Sequence, residues 1–331
     1  MKNKLVLVHV VILIAIIGTI IFVNRGRAPS QGTGLYPASS GETSGGRYCS
    51  AQGMLTNIKT IQSHRSYCLK SDSNGKTYSI NTSSEYSFSI VDDQGSTLKS
   101  FATTHTKLMH VIVVRKDLAN FQHIHPEFDQ ATGVFTLKDL TFPADGIYRI
   151  FADFAPTSAS LSAGSGGQQH AMGMPLLALN QVGGAVTISE DVLVGVGIQY
   201  IPQALGSEEK AKTFDGYQIS FSSDQPLIAG REVMLTFNLK RNGKPFGSAQ
   251  GKPITDLQQY LGALGHSVIL REGSLDFIHA HPMEDHDRPQ TGEVGFMVDF
   301  PGAGRYKIFT QFQRDGKVFT TDFVVAVAQG Q

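Results

Sequence analysis

The chain says the same thing twice, and that repetition limits its fold more than any other feature. "HVIVVRKDLANFQHIHPEF" at 110–128 aligns without a gap to "HSVILREGSLDFIHAHPME" at 266–284, and both read H-x12-H-x-H-P. Downstream, "FPADGIYRIFADF" at 142–154 aligns to "FPGAGRYKIFTQF" at 300–312. The offset is 156 residues at the histidines and 158 at the FP motif, a two-residue insertion between otherwise parallel copies. Upstream, "SIVDDQGSTL" and "NLKRNGKPFG" each run a strand into a Gly turn. This is a duplicated domain, so whatever one copy folds into must form twice.

From Tyr78 onward the pattern is that of strands, with alternation and turn signals in "YSFSIVDDQGSTL" and "GVFTLKDLTFPADGIYRIFADF". "DLQQYLGAL" (256–264) is the main stretch in this region with a helical look, and it is short. "GYQISFSSDQPLIAGREVMLTFNLKRNGKP" has the form of two opening strands of an Ig-type sandwich. The G-x-Y-x-I-F step predicts a tyrosine corner, in which a Tyr hydroxyl bonds the backbone at the strand entry. Each copy is long enough to close its own two-sheet core. The fold class expected is therefore all-β, two tandem Ig-like sandwiches.

The N-terminus adds an address. Residues 5–23, "LVLVHVVILIAIIGTIIFV", have His9 and Thr19 as their clearly polar members and come close to the length of a bilayer-spanning helix. With no A-x-A site following, the segment is expected to be an uncleaved signal anchor, a cleaved signal being the alternative. Lysines and arginines flank both ends, so charge does not orient it. Residues 24–46, rich in Gly, Ser and Pro, are a flexible tether. Residues 47–78 form a small segment carrying the chain's two cysteines, Cys49 and Cys68. Outside the cytoplasm these are expected to form a disulfide, whose loop would contribute roughly 3 kcal/mol in the chain-entropy model. The expected plan is then an anchor (1–23), tether (24–46), Cys segment (47–78), domain 1 (79–183) and domain 2 (184–331). The body would be extracytoplasmic, in the periplasm or at the cell surface. Charge is balanced at 28 basic and 28 acidic residues, which implies no attraction to nucleic acid.

Chemistry concentrates in the repeated histidines. Placed on a hairpin with its turn near residues 117–118, His110 lies opposite His125 and His123 opposite Ile112. All three rings then share one face, with opposed Cβ atoms about 5 Å apart. His266, His279 and His281 repeat the arrangement. Three neutral imidazoles with an open fourth position suit copper or zinc. His105 or Met109 in domain 1, and Glu284 or His286 in domain 2, are candidates to complete the shell. The "HAMGM" loop adds His170, Met172 and Met174, soft ligands suited to Cu(I). The alternative reading makes the histidines structural braces of the hairpins, "HAMGM" a surface loop and "MEDHD" a solvated turn. Elsewhere the copies differ freely (Val111 against Ser267, Gln122 against Ile278), yet all three histidines and the proline recur. A cupin is disfavoured because the downstream Glu and Gly/His segment are missing. No G-x-S-x-G or H-E-x-x-H supports hydrolysis, so no enzyme is expected.

The opening strands, "MHVIVV", "HIHPEF" and "FPADGIYRIFADF" resemble bacterial secreted or membrane-anchored proteins with YtkA-like or CopC-like Ig-type domains, over residues 78–329 in both copies. The resemblance implies the sandwich fold, an association with heavy-metal or copper handling, and a metal-transport or envelope protein as partner. The copper-ligating His that CopC-like proteins place near the mature N-terminus has no counterpart here, so that site is not transferred.

Overall fold

The computed structural model describes residues 67–157, 185–195, 201–214, 216–241, 251–282 and 291–330. The expected anchor and tether and most of the Cys segment fall outside them. Cys68 opens the first strand, and its expected partner Cys49 lies outside the described residues. His170, Met172, Met174, Glu284 and His286 lie outside them too.

Alternating apolar side chains separated by Gly, Asn and Asp turns give strands throughout, with no α-helix among the described residues. In the first half these are β1 (Cys68–Ser71), β2 (Thr77–Tyr78), β3 (Ser84–Val91), β4 (Phe101–Ala102) and β5 (His110–Arg115). They continue as β6 (Gln122–Ile124), β7 (Glu127–Asp129), β8 (Val134–Leu140), β9 (Gly146–Pro156) and β10 (Val186–Val194). One sheet runs β1-β3-β8-β7 and the other β2-β10-β9-β5-β6, with β4 paired to β9. Tyr86, Phe88, Phe135 and Leu137 of the first sheet face Val111, Val113, Ile150 and Phe154 of the second in one core.

The second half supplies β11 (Ala211–Phe214), β12 (Tyr217–Ser223), β13 (Glu232–Arg241), β14 (Lys252–Pro253) and β15 (His266–Arg271). It closes with β16 (Phe277–Ala280), β17 (Glu293–Asp299), β18 (Gly304–Arg314) and β19 (Lys317–Val327). One sheet holds β11 to β14 with β17 on β13, and the other runs β16-β15-β18-β19. Phe237, Phe296, Ile308, Phe312 and Phe323 fill the core between them. Both tyrosine corners form: Tyr148 donates to the Ala144 carbonyl at 2.9 Å and Tyr306 to the Gly302 carbonyl at 2.7 Å.

Two sequence expectations need correction. Strand β10 follows the expected boundary at 183/184, yet it pairs with β9 along its whole length and puts Ile188, Val192 and Val194 into the first core. The first sandwich therefore extends past residue 183 to include β10. "DLQQYLGAL" is not helical either. It is extended, bridges Gln258 to Gln313, and turns at Leu261 and Gly262, both of positive φ (57° and 85°). Two adjacent residues in the left-handed region make a tight reversal that no α-helix contains.

The halves meet through the sheets that carry the histidines. Strand β5 is buried along its whole length because both its faces are covered. Val111 and Val113 enter the first core, while Ile112 and Val114 join Leu118 and Phe151 in a third cluster. Val268, Leu270, Leu275, Phe277 and Phe309 of the second half complete that cluster. Two ring pairs bind it: Phe121 stacks on Phe309 at 4.2 Å, and Phe151 meets Phe277 at 5.0 Å. Phe121 and Phe277 occupy matching repeat positions, as do Phe151 and Phe309, so each pair is the exchange of the other. The interface is a pseudo-two-fold contact inside one chain.

Candidate metal centre at the interface of the two halves

The hairpin register is the one the spacing predicts. Ile112 pairs with His123 and Val111 with Ile124, which sets His110 against His125. Val268 pairs with His279 and Ser267 with Ala280, which sets His266 against His281. Because the histidines share the parity of Ile112 and Val268, they point not into either core but across the interface. All seven described histidines meet there. His110 is fully buried and His266 is 1% exposed.

Within the first triad, His110 Nδ1 lies 3.1 Å from His123 Nε2 and 3.2 Å from His125 Nε2. In the second, His266 Nε2 lies 3.3 Å from His281 Nε2 and in direct contact with His279 Nε2. The triads are not separate. His110 and His266 stack at 5.4 Å between ring centres, and His123 lies 5.1 Å from His266. Two groups of three can each bring ligand atoms within 4.8 Å of one another: His110, His123 and His125, and the cross-domain set His110, His266 and His279. His281 instead stacks on His105, ring centres 3.2 Å apart at 15°. His105 reaches it from a turn with positive φ at His105 and Thr106 (50° and 68°), the equivalent of the Leu261–Gly262 turn. Met109, an expected accessory ligand, is a buried member of the first core and only 2% exposed.

Asp153 and Gln311 fix how the rings face. His279 Nδ1 donates to the Asp153 carboxylate at 2.7 Å, and His123 Nδ1 donates to Gln311 Oε1 at 2.7 Å. Each bond crosses between the halves, and Asp153 and Gln311 occupy matching repeat positions on β9 and β18. Each is held from its neighbouring strand: Thr187 donates to Asp153 at 2.7 Å, and the Gln311 amide donates to Thr320 at 3.2 Å. His110 Nε2 is fixed in its own half, donating to the Thr104 carbonyl at 3.0 Å. Since Thr104 and Gln311 take the N–H of His110 and His123, the other nitrogen of each of these two neutral rings is left as a lone pair. Those lone pairs face one another.

The same environment resists protonation. Burial first, then the charges of His279 and His110, lower His105 to about 4. Burial and then His110 lower His125 to about 3, and burial and then His279 lower His281 to about 2. Burial also holds His110, His123 and His266 below the ordinary imidazole value. For Asp153, burial alone would raise the carboxyl; the bond and charge of His279, followed by Thr187, outweigh it and bring it below the usual carboxylate range. Sequence reading passed over Asp153, Gln311 and Thr104. A signal existed for the first two: a polar residue at the same place in both copies of the FPxxGxYxIFxxF motif, inside an apolar strand.

The chain matches the family model described as "Domain of unknown function (DUF8832)" over residues 67–163 and 211–329, one segment on each copy. Those segments make up more than half of the chain, and it belongs to that family. This is the matching family, rather than a YtkA-like or CopC-like one. A search of curated proteins gives no match. Among solved structures, the chain is similar to "as isolated" FetP of uropathogenic Escherichia coli strain F11, at 13% identity and TM-score 0.27, over 37% of this chain and 94% of that one. A tandem of titin Ig domains matches at 12% identity and TM-score 0.17, over 77% and 92% of the two chains. The three N-terminal domains of the bacteriophage RB49 outer capsid protein Hoc match at 8% identity and TM-score 0.17, over 81% and 71%. At scores this low, the fold rests on the strand pairing described above.

Proposed function

We propose that this is a membrane-tethered, extracytoplasmic metal-binding protein that buffers, senses or delivers copper or zinc through the histidines at its domain interface. One observation carries the reading: the buried imidazole lone pairs of His110 and His123, their tautomers set by Thr104 and Gln311, are turned toward one another. Such an arrangement is repulsive until a cation sits among the nitrogens. Burial disfavours a proton in that role, which leaves a metal ion. Ligands at 2.0–2.1 Å around a tetrahedral ion stand about 3.3 Å apart, close to the 3.1 Å and 3.2 Å separations around His110 Nδ1. Neutral imidazoles suit Zn(II) and Cu(II). The role is binding rather than catalysis, with a metal-transport or envelope protein as partner.

A second reading is favoured by the bonds from His279 to Asp153 and from His123 to Gln311, which cross between the halves: an Ig-like interaction module whose histidines clasp its two halves. Metal analysis of the purified full-length chain decides between them, with His123→Ala and His279→Ala as controls. Copper or zinc bound by wild type and held less tightly by both variants supports the metal reading. No bound metal in wild type, or an affinity unchanged by both substitutions, sinks it.

A further inference from the structure

The repeat suggests one ion for each domain, but the arrangement of the rings does not divide that way. A set confined to the second half is not among the groups that bring three ligand atoms within 4.8 Å; the second such group crosses the interface and includes His110. His281 lies flat against His105, with its Nε2 also 3.3 Å from His266 Nε2. His110 is thus common to both sets. Its Nε2 is engaged with the Thr104 carbonyl, so Nδ1 is the one nitrogen it has left to offer. One lone pair binds one ion.

Resting on the metal-binding reading above, we infer that the two domains share one metal centre holding a single ion per chain, with His110 as the ligand common to two alternative three-histidine sets. In one set His123 and His125 of the first half complete the coordination. In the other, His266 and His279 of the second half do so. Exchanging two ligands while His110 stays bound moves the ion between a site within the first domain and a site that straddles both. Each half also orients a ring of the other, His279 through Asp153 and His123 through Gln311, so either set depends on the docked pair of domains.

Metal stoichiometry tests the idea directly. The full-length chain is loaded separately with Zn(II) and Cu(II), freed of excess metal, and assayed for metal per chain, with circular dichroism to check folding. One ion per chain is expected. His125→Ala and His266→Ala should each retain an ion at reduced affinity, because each leaves one set intact. The double variant and His110→Ala should lose it. Two ions per folded wild-type chain overturn the shared centre. So does an ion retained by His110→Ala, or complete loss in His125→Ala alone, which would confine the centre to the first domain. If wild type binds neither metal, the metal-binding reading fails with it. The wild-type count and the two edge variants decide the question even if His110→Ala, altered at a fully buried position, fails to fold.

Discussion

The two halves are alike where they build the scaffold and unlike where they meet the cluster. Both close a sandwich, form a tyrosine corner and offer one Phe of each interlocking pair. At the cluster they part. Asp153 of the first half carries a charge that Gln311 of the second lacks. His110 turns Nδ1 inward, whereas His266 turns Nε2 inward and leaves Nδ1 buried without a hydrogen-bond partner. The first half's turn presents His105, and the equivalent turn presents Leu261. Met109 fills the first core where the second has Gly265, whose added Cβ would come within 3.0 Å of Phe296 and Phe312. Packing and docking need only the same shapes twice. A shared metal centre would gain from unequal partners, since the charge and the extra ring would bias where a cation rests.

If His110 is the pivot, its replacement should separate the halves most sharply. His110→Ala is expected to lower metal affinity at least 100-fold, and His281→Ala far less, as measured by competition with a chromophoric chelator. Equal losses would restore the picture of two equivalent triads.

The docking pairs should behave alike. Phe309→Ala and Phe151→Ala each remove a ring buried at the interface, at a cost of about 3–5 kcal/mol in denaturant unfolding. A cost confined to one of them would break the pseudo-two-fold description.

The cross-domain acceptors test the asymmetry itself. Asp153→Asn should weaken metal binding by about 10–100-fold. Gln311→Glu gives His123 the charged partner that His279 already has, and should tighten it. A Gln311→Glu variant no tighter than wild type would show that the charge difference is not what separates the halves.

Acid should act through the depressed imidazoles. With His105 near 4, His125 near 3 and His281 near 2 in the folded chain, the unfolded chain takes up protons first as pH falls below its own value of about 6.5. Stability is full above that value and drains away as pH descends through the folded values. The metal-free protein should lose on the order of 5 °C in Tm between about pH 7 and pH 5. Removing His105 and His281 together should flatten that slope.

The smallest effect belongs to the features the halves share. Tyr306→Phe should cost about 1 kcal/mol, the worth of its one hydrogen bond, Tyr148→Phe somewhat more because its hydroxyl also accepts from Asn120, and both should leave metal affinity alone.

Much of this was legible in the chain. The repeat, the strands, the tyrosine corners and the hairpin register all follow from local pattern, because alternation and turn residues act over a few positions. The register that aligned His110 with His125 also placed three rings on one face. Which way that face looks was not legible: HVIVVR is apolar on both sides, and only the second domain decides what covers the side facing away from the core. The misplaced boundary at 183/184 has a similar origin. Strand β10 belongs to the first sandwich through pairing with β9, a contact that sequence proximity does not reveal because some thirty residues separate the two strands.

By itself, then, the sequence determined that there are two copies of one sandwich and that each presents three histidines on a strand face. The tertiary structure decided that these faces meet, that Asp153 and Gln311 set rings in the opposite half, and that His110 belongs to both groups. The physical reason is range. Side-chain parity is fixed by neighbours along the chain, whereas the docking of two buried sheet faces depends on the fit of Phe121 to Phe309 and Phe151 to Phe277, residues more than a hundred positions apart.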